Sequence, residues 1–298
     1  DKESADVMVI NICTVKGDAN ALRHIRRLRQ SHPEKKLIVA GCIPKYTIPK
    51  IKALSPNINL INTYNIKKIN EVIEKSLNNQ FMDAVQYSDE LKIELPRIRA
   101  NSVIGIVPIS SGCLSQCTFC SVKQIKGNLK SYPLLSIIHD INIAINNGCK
   151  EIWLTSQDNG CYGFDINTNL AELVGYVIKI DGEFMVRIGM ASPQHLINYL
   201  DELIHVLKSE KIFKFIHLPV QSGNEQILKK MRREYDVSTF KAVIKNIRDA
   251  IPKLTLSTDV ICGFPTETEE QFDDTLRLIV DITPDIVNIS RYQARPYT

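Results

Sequence analysis

The sequence predicts an α/β protein in two parts: six β/α units forming an open partial barrel and, before them, a shorter parallel α/β unit. Two observations predict this. Strand-length apolar runs alternate with helix-length amphipathic ones along the chain. The polar and thiol residues that carry chemistry fall directly after the strands, where parallel α/β sheets and β/α barrels bind their ligands.

The first part opens with the run DVMVINI, which has the length and composition of a strand and ends next to Cys13. Residues 18–30 read as a basic helix, KLIVA at 36–40 as a second strand running into Gly41-Cys42, NINLI at 57–61 as a third, and residues 66–77 as a helix. Cys13 and Cys42 both follow strands of one sheet, so they are expected close in space although far apart in sequence. The stretch 81–100 is polar and irregular and reads as a linker. These signals divide the chain into an N-terminal domain at 1–80 and a larger domain at 101–298. The six strands of the larger domain are predicted at 103–109, 151–155, 185–189, 214–218, 255–261 and 285–290. Helices are predicted at 134–147, 169–179, 193–207, 224–231, 238–250 and 269–280. Ser192 before Pro193 reads as an N-cap, and so does Thr268.

The 298 residues, 44% hydrophobic and 23% charged, are enough for two cores. The net charge of +4 permits a nucleic-acid partner without arguing for one. No apolar run approaches the roughly 20 residues that span a bilayer, and the polar N-terminus is not a secretory signal. Eight cysteines in a chain of this size, several in tight loops, suggest ligands rather than disulfides and a reducing, cytoplasmic setting. The sequence begins without methionine and ends at Pro296-Tyr297-Thr298, so a fragment of a longer chain is expected.

The most specific motif is Cys113-Leu-Ser-Gln-Cys117-Thr-Phe-Cys120, directly after the first barrel strand. Iron–sulfur clusters are normally held by four cysteines; three in this spacing leave one iron of a [4Fe-4S] cubane open. The loop resembles the signature of radical S-adenosylmethionine (SAM) enzymes, in which the open iron takes the amino and carboxylate groups of SAM. The alternative is a three-cysteine zinc site completed by a histidine. The nearest candidate, His139, lies on a predicted helix.

Other strand ends offer polar groups for a cofactor: Ser156, Gln157 and Asp158 after the second strand, Gln221 after the fourth, and Gly263 after the fifth. Asp158 can accept a hydrogen bond from the cofactor's ammonium or simply cap a loop. Phe119 suits the side of an adenine ring or a place in the core. His217, within an apolar strand, reads as a satisfied core residue. Lys123, Lys126 and Lys130, with Arg23, Arg26, Arg27 and Arg29, form basic runs that suit phosphates or a solvated face.

Four longer runs then carry a closer resemblance: Gly112–Cys120 with Gly127-Asn-Leu-Lys-Ser-Tyr-Pro133; Glu151-Ile-Trp-Leu-Thr-Ser-Gln-Asp158; Leu218-Pro-Val-Gln-Ser-Gly223 with Leu228-Lys-Lys-Met-Arg-Arg-Glu-Tyr235; and Asp259-Val-Ile-Cys-Gly-Phe-Pro-Thr-Glu-Thr268. Together they resemble the methylthiotransferase family of radical SAM enzymes over nearly the whole chain. The second and third of these stretches, Gly127–Pro133 and Glu151–Asp158, are most similar to its archaeal and eukaryotic branch.

The resemblance implies a partial (β/α)6 radical SAM barrel preceded by a truncated Rossmann-like domain. It implies two [4Fe-4S] clusters and SAM as cofactors, with Cys113, Cys117 and Cys120 on the SAM cluster. Cys13 and Cys42 match the second and third ligands of an auxiliary cluster whose first ligand would lie upstream of Asp1. It also implies that a C-terminal RNA-binding β-barrel is missing, and that Cys149, Cys161 and Cys262 match no ligand position. The implied activity is addition of a methylthio group to position 2 of N6-threonylcarbamoyladenosine next to the tRNA anticodon, through a 5′-deoxyadenosyl radical. An electron donor and a sulfur donor are the further implied partners. The rivals are a sister enzyme acting on isopentenyl adenosine or a ribosomal protein, and a non-catalytic zinc-dependent RNA-binding module.

Overall fold

In the computed structural model the described residues are 4–13, 18–88, 90–99, 101–296 and 298. They form two compact units, residues 1–92 with 121–126 and 295–298, and residues 93–120 with 127–294.

The first unit is built on a parallel sheet whose strands lie side by side in chain order. These are β1 (Val7–Cys13), β2 (Lys36–Cys42), β3 (Asn59–Asn62) and the short β4 (Asp83–Ala84). Helices α1 (Ala19–Ser31), α2 (Ile48–Leu54) and α3 (Ile69–Leu77) alternate with them, and a one-turn helix α4 (Val122–Lys126) belongs to the same unit. Leu37, Ile38, Val39 and Ala40 are all buried, as a central strand covered on both faces requires. One face packs Leu37, Val39 and Leu60 with Ile25 and Ile51; the other packs Ile38, Ala40 and Ile61 with Val72. β1 alternates buried Ile10 and Ile12 with exposed Val9, Asn11 and Cys13, the pattern of a strand with one face in the core. Residues 66–77, expected as one helix, begin with a 3₁₀ turn before α3.

The second unit contains six parallel strands in two three-stranded sheets, taken in chain order. One sheet holds β5 (Ile104–Pro108), β8 (Glu151–Thr155) and β9 (Met185–Ile188); between β5 and β8 a small hairpin pairs β6 (Ser110–Ser111) with β7 (Lys130–Ser131). The other sheet holds β10 (Phe215–His217), β11 (Thr255–Cys262) and β12 (Ile286–Arg291). A parallel bridge from Val186 to Ile212 lies between them in sequence. The six expected β/α strands are therefore all present, without a closed ring of ladders among the described residues. Helices α5 (Leu134–Asn146), α6 (Leu170–Val177), α7 (Pro193–Leu196), α8 (Leu200–Leu207), α9 (Glu225–Lys230), α10 (Val237–Ala250) and α11 (Glu269–Ile282) connect them. Ile152 and Leu154 of β8 are fully buried, while Trp153 between them points to the opposite face.

Two local expectations change. The helix expected at 193–207 is split into α7, a 3₁₀ turn at Ile197–Tyr199, and α8. The break lets the buried Tyr199 hydroxyl donate to the Gly160 carbonyl at 2.6 Å. Ser192 stands at the N-cap with Pro193 behind it, yet its side chain makes no capping bond; its backbone N–H donates to Asp158 instead. Thr268 does cap α11, in a reciprocal box with Gln271. Thr268→Ala is expected to lower the unfolding free energy by about 1 kcal/mol, read as a shift in the urea midpoint at unchanged m-value.

Candidate active site

The cysteine loop follows the β6 strand of the hairpin and is held by the ends of other β/α units. Gly112 has φ +79°, and a Cβ there would lie 1.9 Å from the Asn128 carbonyl oxygen, so only glycine fits this close backbone approach. Its N–H donates to Gln157 Oε1 at 2.7 Å. The Cys113 N–H donates to the Gly127 carbonyl, and the Cys120 N–H turns back to the Cys117 carbonyl at 3.1 Å. Thr118 donates twice to the end of α9, from N–H to the Met231 carbonyl and from Oγ1 to the Lys230 carbonyl. Gln194 Nε2 donates to Ser115 Oγ at 3.0 Å, and His195 Nε2 lies 3.1 Å from the same hydroxyl.

His139 lies exposed on α5. This exposed position gives no support to the three-cysteine zinc site weighed from the sequence.

Arg233 is a site residue that the sequence reading passed over, although it stands inside a quoted motif. It is only 8% exposed. Its NH1 donates to Cys117 Sγ at 3.3 Å, NH2 to the Pro219 carbonyl at 3.2 Å, and Nε to the Tyr235 hydroxyl at 3.2 Å. The Tyr235 ring also faces the guanidinium at 5.1 Å. These partners are a thiol, a carbonyl and a phenol; a buried cation so placed is matched by negative charge at Cys117. Burial pushes the Cys117 thiol up and Arg233 pulls it down.

Asp158 is 2% exposed. Its Oδ1 accepts from the N–H groups of Gly160 and Ser192, both at 2.9 Å, which is the loop-capping role weighed from the sequence. Its Oδ2 is buried and accepts no hydrogen bond; His195 Nε2 lies 3.6 Å away. Cys161, given no role from the sequence, is fully buried beside Cys113. Hydrogen bonding from Cys161 draws the Cys113 thiol down to about 7, against burial and the Asp158 charge, and the same bond pushes Cys161 up.

The remaining expected residues are placed as follows. Gln157 uses its carbonyl to hold Gly112, and the Ser156 hydroxyl donates to Asn159 at 2.5 Å. Phe119 packs against Ile227, Met231 and Phe264, the core role weighed for it. Gln221, 9% exposed with φ +76°, bridges its backbone to β11. The Gly263 N–H donates to Glu267, and the space around its Cα is open. His217 is half-buried and satisfied, with Nε2 2.8 Å from Asp259 Oδ1, an oxygen that also accepts from Asn288. On the same face of β8 and β9, Arg187 lies over Trp153 at 4.8 Å and over Phe215 at 4.4 Å. A cavity of about 450 Å³ is lined there by Trp153, Thr155, Ile106 and Pro108 with Arg97 and Arg99.

In the first unit, Cys13 and Cys42 are register partners on neighbouring parallel strands, as the shared sheet edge predicted. Gly41, with φ +109°, brings β2 so near β1 that a Cβ would meet Asn11 and Ile12 at 2.3 Å. Cys13 is exposed and Cys42 buried. Burial pushes the Cys42 thiol up, and Lys126 of α4 opposes it.

A three-cysteine loop at the carboxyl ends of six parallel β/α strands defines a radical SAM enzyme. The Radical SAM superfamily matches residues 107–279 and the Uncharacterized protein family UPF0004 matches residues 1–63. The chain is 42% identical over 300 residues to the probable threonylcarbamoyladenosine tRNA methylthiotransferase of Pyrococcus horikoshii, covering 99% of this chain and 70% of that one. It is 41% identical over 305 residues to its counterpart in Archaeoglobus fulgidus, with the same coverage. It is 35% identical over 304 residues to the threonylcarbamoyladenosine tRNA methylthiotransferase of Homo sapiens, covering 99% of this chain and 52% of that protein. The radical SAM methyltransferase TsrM from Kitasatospora setae shares the fold at 12% identity, with a TM-score of 0.72 over 99% of this chain and 64% of that one. The chain belongs to the threonylcarbamoyladenosine tRNA methylthiotransferase family.

Gly112→Ala is expected to leave the far-UV circular dichroism nearly unchanged. It should sharply lower iron and acid-labile sulfide after anaerobic reconstitution, because the new methyl group has no room beside Asn128.

Proposed function

We propose that this chain adds a methylthio group to position 2 of N6-threonylcarbamoyladenosine next to the anticodon of tRNA, with Cys113, Cys117 and Cys120 holding a [4Fe-4S] cluster. The observation that carries the reading is the loop's setting, three cysteines directly after a strand with a buried guanidinium on Cys117 and a buried carboxylate oxygen left open beside Cys113. When bound, the cluster delivers an electron that cleaves the sulfonium of SAM.

The chain's own residues then position and shield. Asp158 Oδ2 is a fitting acceptor for the SAM ammonium, because its partner oxygen is already committed to two backbone N–H groups. Gln157 acts through Gly112, fixing the loop rather than touching cofactor. Ser156, Gln221 and Gly263 remain assigned to the cofactor's polar edges, and Phe119 to one side of it. Arg233 balances the charge of the cluster and holds Cys117 in place.

Cys13 and Cys42 are assigned to an auxiliary cluster that presents the sulfur; their register pairing on one sheet edge supports this. An external reductant and sulfur donor complete the set. The substrate is taken from the relatives' names, and the cytoplasm from where such modification takes place. The exposed Arg23, Arg26 and Arg27 on α1 offer phosphate contacts, which makes tRNA binding salt-dependent.

The test is nucleoside mass analysis of tRNA from cells with and without the gene. Loss of the methylthio form of threonylcarbamoyladenosine is expected; loss of methylthio-isopentenyl adenosine, or an unchanged profile, would overturn the substrate assignment. Cys117→Ala should abolish 5′-deoxyadenosine formation from SAM and dithionite, and undiminished cleavage removes the cluster assignment. Arg233→Gln should keep iron but move the cluster's reduction potential to more negative values, since removing a nearby positive charge disfavours the added electron; an unmoved potential shows the residue is only structural.

A further inference from the structure

Cys161 is a fully buried thiol that the proposed chemistry does not use. It ends the 3₁₀ turn Asn159–Cys161, which Asp158 caps, so one turn fixes both residues. The Cys113 and Cys161 sulfurs and an Asp158 carboxylate oxygen all lie within 4.8 Å of one another. Ligands on one tetrahedral ion, with M–S about 2.3 Å and M–O about 2.0–2.2 Å, sit roughly 3.5–3.8 Å apart. The three donors are therefore within a small adjustment of sharing one ion.

A second observation points to a ligand. Asp158 is 2% exposed, and its Oδ2 has no hydrogen bond. An unpartnered buried carboxylate oxygen is costly, and a cation offsets that cost. The His195 imidazole, with Nε2 3.6 Å from this oxygen and 3.1 Å from Ser115 Oγ, becomes a fourth donor by exchanging its Ser115 contact for the ion. Two sulfurs, a nitrogen and an oxygen suit zinc or ferrous iron rather than calcium or magnesium.

We propose that the chain without its cluster binds one divalent transition-metal ion between Cys113, Cys161 and Asp158, with His195 closing the shell, as a loading position for ferrous iron. Binding leaves both sulfurs as thiolates, and whatever protons they still carry at the working pH pass to solvent; no electron moves. Cys113 belongs to both sites, so the ion must leave, or be built into the cubane, before the cluster is complete. Cys161 lets go of Cys113 at that step. This inference concerns the cluster-free protein and stands apart from the identity of the RNA substrate.

The experiment titrates the cluster-free chain anaerobically with cobalt(II), which reports thiolate ligation by its sulfur-to-metal charge-transfer band. A Cys13→Ala/Cys42→Ala background removes the first unit's thiols. One cobalt per chain and a sulfur-to-metal charge-transfer band are expected. Cys161→Ser and Asp158→Asn should each weaken binding by roughly tenfold or more, the cost that outer-shell changes alone can reach; Cys120→Ala should leave it unchanged. Binding that ignores Cys161→Ser and Asp158→Asn, a band lost on Cys120→Ala instead, or no cobalt bound at all would overturn the proposal. Reconstitution of Cys161→Ser to a full cluster shows that this variant folds, and tests the Cys113, Cys117 and Cys120 assignment separately.

Discussion

The site depends on one constraint: a parallel strand must stop hydrogen-bonding somewhere, and its carboxyl end is where the chain is released. The parallel strands β8, β10 and β11 give way to Asp158, Gln221 and Gly263, and the short antiparallel β6 that follows β5 gives way to the Cys113 loop. Inside each strand the ladder and the packed helices dictate side-chain direction; beyond it, a residue is free to face a ligand. The buried faces of β8 and β11 therefore do structural work that is invisible at the site. They hold the loops that follow them, and the cysteine segment is tied down by backbone N–H groups of Gly112 to Gln157, of Cys113 to Gly127 and of Thr118 to Met231 at the end of α9.

Charge is arranged around this frame with little redundancy. Arg233 is buried on the Cys117 side and Asp158 on the Cys113 side. Neither faces the other: Arg233 donates to Cys117 Sγ, and Asp158 Oδ2 lies 3.6 Å from His195 Nε2.

Much of this was legible in the sequence. The strands were readable because central parallel strands are apolar runs of characteristic length, and β2 and β8 follow that rule. The Cys113, Cys117 and Cys120 spacing and the Cys13 and Cys42 sheet edge were readable because both are local or topological. Side-chain alliances across long sequence separations were not. The Arg233 bond to Cys117 joins residues 116 apart; only the bond itself distinguishes Arg233 from the adjacent Arg232. Cys161 looked inert because spacing cannot show that a turn folds it onto Cys113. The break at Ile197–Tyr199 was hidden because the 193–207 pattern is helical throughout, and only the demand of Tyr199 for the Gly160 carbonyl interrupts it. The one-turn α4 and the two-residue strands β6 and β7 are too short to leave a period.

The adjacent pair Gln157 and Asp158 illustrates how tightly such a terminus is metered. Gln157 reaches toward Gly112, while Asp158 reaches toward Gly160 and Ser192. Consecutive side chains on an extended segment point in opposite directions, so inserting or deleting one residue after Thr155 would exchange the two destinations.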